Sequence, residues 1–203
     1  MTASAFISLA LEGDTDEPVA LKLLAHAGAA PGPVHGRTGK ADLKRRIRGF
    51  AAAAQHSPWL VLVDLDHEFG CAANLRAAWL PTSPPHLPFR VAVRAIEAWL
   101  LADAQAIARF LRVSHKVVPA DPEHLPQPKR VLVDLAGRSS SREVRDAMQP
   151  RAGSGRAVGP LYASKIIEFA RDHWSVARAA TRSDSLARAV RCLERLVSSG
   201  AAL

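Results

Sequence analysis

The sequence predicts an α/β fold, a parallel β-sheet flanked by helices with a C-terminal helical extension. Three observations carry that reading. Trp59-Leu60-Val61-Leu62-Val63 is an unbroken apolar run, as expected of a strand buried on both faces. A second apolar run, Ala5 to Leu11, is followed like the first by an acid and then by a helical pattern, so strand–acid–helix units recur. The chain beyond residue 110 shows helical spacing and no further strand.

In chain order, Ala5 to Leu11 reads as the first strand and ends at Glu12. Gly13 permits a tight turn, and Asp14 or Thr15 can cap a helix whose first turn holds Asp16, Glu17 and Pro18 and which runs to about Ala27. A Gly/Pro-rich connection follows, with a short strand near Val34 to Arg37. Gly39-Lys40 invites a phosphate-loop reading, but the position five before Gly39 is Val34 and not Gly, so the spacing fails. Arg37 and Lys40 are better read as single phosphate contacts. Ala41 to Gln55 has Leu43, Ile47 and Phe50 on one helical face and four basic residues elsewhere.

The central strand ends in Asp64-Leu65-Asp66. Side chains alternate along a strand, so both carboxylates point the same way while Leu65 packs behind them. Open α/β sheets bind ligands at the carboxyl ends of their strands. Two convergent carboxylates repel unless a cation lies between them, so a divalent metal is one explanation. The other is a helix cap beside a solvated acid. His67 and Glu68 follow at once and can line the same place. After a helix over Cys71 to Leu80 and a proline-rich linker, Phe89 to Ala95 reads as another strand, which makes Glu97 a third strand-end acid. The competing reading puts Glu97 in a helical first turn, favoured by the macrodipole. Asp103 fits a cap for the helix 104–111 or a place in the cleft. Helices then fit 128–136, 141–148, 161–180 with a break near His173, and 183–197. Arg151, Arg156 and Lys165 lie on or beside the loop from Pro150 to Gly159, where they can meet phosphates. Residues 1–110 thus form an α/β core, and 111–203 a mostly helical, basic extension packed on it.

The net charge of +8 is uneven: residues 1–100 carry 10 Lys/Arg against 9 Asp/Glu, whereas 101–203 carry 17 against 10. A near-neutral half with strand-end acids beside a positive half suits a polyanionic substrate. With aromatics at 5%, base-stacking platforms are disfavoured. No apolar stretch approaches the ~18–20 residues of a membrane span. Two cysteines far apart in sequence fit neither a zinc site nor a disulfide framework, so a reducing, cytoplasmic setting is expected.

Glu12-Gly13, Asp64-Leu65-Asp66 and Glu97-Ala98-Trp99-Leu100-Leu101-Ala102-Asp103 together resemble a bacterial family with a Toprim-like (Rossmann-like) core, related to the RloB-type proteins encoded near restriction and defence genes. The resemblance covers roughly residues 5–110, with an echo in Gly159-Pro160-Leu161-Tyr162-Ala163-Ser164-Lys165. It implies Glu12 as the acid/base, Asp64 and Asp66 as Mg²⁺ ligands (Mn²⁺ can substitute) and Glu97 as a further metal-site residue. Nucleic acid is the implied partner, together with a defence-system protein. The single tyrosine, Tyr162, lies in the helical half, which points to plain hydrolysis and not to tyrosine-linked strand passage. The leading expectation is Mg²⁺-dependent phosphodiester hydrolysis. A binding subunit with a degenerate core is the second, and phosphotransfer to a nucleotide or small molecule the third.

Overall fold

The computed structural model describes residues 6–82 and 84–199. Its centre is a parallel sheet of four strands, β1 (Phe6–Leu11), β2 (Ala30–Gly36), β3 (Trp59–Asp64) and β4 (Phe89–Ala92), in the order β2-β1-β3-β4. The order reverses between β1 and β3, the switch point at which such sheets open a crevice beyond their carboxyl ends. Side-chain alternation splits the strands between two cores. Ile7, Leu9, Leu11, Leu60 and Leu62 face one side; Ala10, Trp59, Val61 and Val63 face the other. The unbroken apolar run in β3 therefore has the cause expected of it, since both its faces are covered.

The second face is covered by α2 (Lys40–Ala53) and α3 (Ala72–Trp79). The first is covered by α1 (Asp16–His26), α4 (Ile96–Ala102) and α5 (Ala104–Phe110), together with helices of the basic half. Those are α6 (Pro128–Gly137), α7 (Arg142–Met148), α8 (Tyr162–Asp172), α9 (Val176–Ala180) and α10 (Asp184–Ser198). Trp99 is fully buried between the halves: its Nε1 donates to Ser185 Oγ at 2.7 Å, and its carbonyl accepts from Trp174 Nε1 at 3.1 Å. Among the described residues no helix is long and apolar enough to cross a membrane.

Three boundaries differ from expectation, and Ala5 lies outside the described residues. β2 begins at Ala30, four residues early, because Pro31 and Pro33 are tolerated on an edge strand that needs few donors. Strand β4 stops at Ala92, and α4 begins at Ile96. Glu97 is therefore a first-turn helical residue and not a strand-end acid. At the end of β3, Asp66 takes φ +52°, so the extended run stops at Asp64 and the two aspartates do not share one strand face. The break expected near His173 is present, between α8 and α9.

Candidate functional site

Three turns meet beyond the carboxyl ends of the strands, and together they bring four acids. Glu12 follows the last residue of β1, Asp16 opens α1, Asp64 closes β3 and Glu97 opens α4. All four line one cleft of about 740 Å³.

The acids are fixed by backbone donors. Asp16 Oδ2 accepts from the amides of Glu12 (3.0 Å) and Gly13 (2.8 Å), which folds the turn that aims Glu12. The expected cap at Asp14 or Thr15 is absent as a side-chain bond, and Asp16 does the ordering instead. Asp64 Oδ1 accepts from the Ile96 amide at 2.9 Å, tying β3 to the start of α4. Glu12 Oε2 lies 3.4 Å from the Asp64 amide. Glu97 Oε1 accepts from Tyr162 Oη at 3.1 Å. The other oxygens of Glu12, Asp64 and Glu97 have no hydrogen-bonding partner among the described residues.

Burial decides the electrostatics. Asp16 and Glu97 are 5% and 6% exposed. Desolvation pushes the Asp64 carboxyl well above its usual range, and the charges of Asp16, Glu97, Glu12 and Asp66 add to it. Burial likewise raises Asp16 to about 7, against the hydrogen bond from Gly13. Glu12 is raised by burial, with the Asp64 amide and Lys40 acting the other way. The phenol of Tyr162 is raised by burial and by the Glu97 charge, so it stays a proton donor to that carboxylate.

Other expected residues are placed as follows. Asp66 and His67 line the cleft and are exposed. Lys40 Nζ bonds the Asp64 carbonyl (2.8 Å) and Asp66 Oδ2 (2.7 Å), so it pins the turn after β3. Glu68 sits outside the lining and faces Lys44 at 3.7 Å. Arg37 lines the cleft and pairs with Glu17 at 2.7 Å. Asp103 is not brought to the cleft. It is buried at the other end of α4 from Glu97, where it accepts from Arg178 Nε and Nη2 and from the Ser175 amide. Lys165 lines a separate hollow and pairs with Glu168 at 3.0 Å and Glu143 at 3.4 Å. Arg151 and Arg156 are exposed on a loop whose Ala157 and Val158 reach the cleft wall.

Four residues at or beneath the cleft were not singled out for it from sequence. Arg94 lines it and donates Nη1 to the Asp66 carbonyl at 2.8 Å. Lys129 and Arg130, from the first turn of α6, bring the basic half to the rim. Tyr162 reaches Glu97 from α8, with Lys129 Nζ 5.4 Å from its ring centroid. The signal for Tyr162 was the 159–165 stretch. A Cβ on Gly159 would stand 2.5 Å from the Ala147 carbonyl oxygen and the Met148 carbon, so glycine lets this turn dock on the end of α7 and present Tyr162.

Among the described residues no three Asp, Glu, His or Cys side chains are gathered into a ready cage for a metal ion. The donor set is nevertheless of the right chemistry for a hard cation, all carboxylate oxygen with unused lone pairs. Mg²⁺ characteristically takes only one or two carboxylates and completes its shell with water and substrate phosphate. Compared with family models, curated proteins and solved structures, the chain matches none.

Proposed function

We propose that the protein is a Mg²⁺-dependent phosphodiesterase acting on nucleic acid, with Mn²⁺ able to replace Mg²⁺. One observation carries the reading: a floor of carboxylates, Asp16 and Glu97 buried and Glu12 and Asp64 half-buried, under a rim of Arg37, Arg94, Lys129 and Arg130. Such a floor opposes phosphate by itself, while such a rim attracts it. The two are compatible when a divalent cation bridges them.

In this reading Asp64 and Glu97 would hold the cation, and Asp66, paired with Lys40, would act on it only through water. Mg²⁺ bound there would neutralise charge developing on the scissile phosphate and lower the pKa of attacking water. Glu12, with its pKa raised by burial, takes the proton from that water. Tyr162 holds Glu97 in place through its 3.1 Å hydrogen bond. Lys129, Arg130 and Arg94 hold the backbone on either side, which sets position and not sequence. A second reading, a nucleic-acid-binding subunit without catalysis, draws on Lys40, whose ammonium already neutralises Asp66.

The test is cleavage of labelled DNA and RNA, single- and double-stranded, by the wild type and by Asp64→Asn. Cleavage that requires Mg²⁺ or Mn²⁺ and falls by about 10²-fold or more in the variant is the expected result. Equal binding by both proteins with no cleavage by either would replace the enzyme with the binding subunit.

A further inference from the structure

A second pocket, of about 470 Å³, lies at the end of the sheet opposite the acidic cleft. There the amides of Trp59 and Val61 bond the carbonyls of His86 and Pro88, where β3 and β4 begin. Arg76 of α3, Arg90 of β4 and Arg195 of α10 line it, and no Asp or Glu stands among the described residues of its wall.

Arg90 sets the chemistry. Its side chain is partly buried; Nε donates to the Phe89 carbonyl at 2.9 Å and Nη1 to the Arg188 carbonyl at 3.4 Å. In place of a carboxylate it meets two more arginines. Burial lowers its pKa; Cys192 opposes that shift, and Arg76 and Arg195 add to it. A guanidinium withdrawn from water beside like charges is costly until an anion joins it. The planar forks of arginine match phosphate oxygens in pairs. His86, in the same wall, carries a buried Nδ1 with no hydrogen-bonding partner among the described residues. Pro84, Pro88 and Leu196 give the lining an apolar side, and Cys192 and Ser199 add a thiol and a hydroxyl.

We propose that this pocket binds a phosphate-bearing small ligand of nucleotide size, with its phosphates on Arg76, Arg90 and Arg195 and its remaining part against the apolar wall. The volume is in the range of small-molecule sites. The proposal does not depend on the chemistry assigned to the cleft.

The probes are ADP and inorganic pyrophosphate, titrated by calorimetry into the full chain in EDTA, so that no divalent cation contributes. Arg76 and Arg195 are exposed, so the double variant Arg76→Ala/Arg195→Ala keeps the fold. The expected result is saturable binding of ADP, weakened about tenfold or more in that variant, a loss of roughly 1.4 kcal/mol. The rim variant Lys129→Ala/Arg130→Ala binds ADP as the wild type does. Three outcomes overturn the proposal: neither probe binds; binding is lost in the rim variant and kept in the pocket variant; or a single-stranded oligonucleotide of about a dozen residues binds through Arg76 and Arg195 while ADP and pyrophosphate do not.

Discussion

At the scale of single residues the cleft is a balance held against itself. Asp16, Asp64 and Glu12 all titrate higher in the folded chain than the value of about 4 they take when unfolded. Between about pH 4 and 7 the unfolded chain releases protons that the folded chain keeps. Stability from these groups is thus fully present below pH 4 and declines as pH rises through the folded values. In EDTA, the thermal midpoint should be higher at pH 5.5 than at pH 8, and Mg²⁺ should recover part of the loss at pH 8. Asp64→Asn keeps an acceptor for the Ile96 amide and removes a half-buried carboxyl crowded by Asp16, Glu97 and Glu12. It should raise the stability of the metal-free protein at pH 8 by about 1–3 kcal/mol while lowering the proposed cleavage by about 10²-fold or more, the trade expected where a site is kept for function at the expense of stability. A destabilised Asp64→Asn would show that this carboxylate is held for the fold and not for a ligand.

At the scale of elements, Asp103 illustrates how one acid joins segments far apart in sequence. It lies between α4 and α5, is 2% exposed, and receives a two-pronged bond from Arg178 and a third from the Ser175 amide at the start of α9. Arg178 is half exposed, and the two partners are therefore not equivalent. Asp103→Ala leaves a guanidinium that water can solvate and should cost about 2 kcal/mol. Arg178→Ala leaves a buried carboxylate with one amide donor and should cost more, about 3–5 kcal/mol. Denaturant midpoints of the two variants give the order directly, and a larger loss for Asp103→Ala would contradict it. Gly36 plays a comparable part between β1 and β2: its φ is +88°, and a Cβ there would stand 2.2 Å from the Leu11 carbonyl oxygen. The carboxyl end of β2, where it pairs with Leu11, therefore admits only glycine at this position.

At the scale of the whole molecule, the basic half is cover for the sheet and wall for the cleft. One core cluster runs from Leu9 and Leu62 through Trp99 to Phe169 and Leu193. A chain ended after residue 110 would keep α1, α4 and α5 on that face but expose their outer apolar sides and the edge of the sheet at β4 that α10 covers, and a parallel sheet is stable only with both faces covered. Residues 1–110 expressed alone should aggregate or bind a hydrophobic dye without a cooperative thermal transition. A cooperative transition near that of the full chain would show instead that the α/β portion is an independent unit. The full chain also presents opposite charges at the cleft, carboxylates on the floor from its first half and Lys129 and Arg130 on the rim from its second.

Much of this was legible in the sequence because it depends on local pattern. The apolar run at Trp59–Val63 determined a strand covered on both faces. The acids after β1 and within the Asp64–Asp66 stretch marked the ligand end of a parallel sheet, where strand ends meet helix starts. Pro31 and Pro33 obscured β2, because proline argues against a strand until its place at the sheet edge is known. Only the tertiary structure decided which acids share the cleft. Asp16 and Glu97 joined Glu12 and Asp64 through turns between β1 and α1 and between β4 and α4, whereas Asp103, six residues past Glu97, turned away to Arg178. Spacing along a chain sets neighbours on a helix or strand, but the meeting of residues 12, 64, 97 and 162 is set by strand order and by which face each helix covers. That same long-range packing brought Tyr162 to Glu97 and gathered Arg76, Arg90 and Arg195 around one pocket.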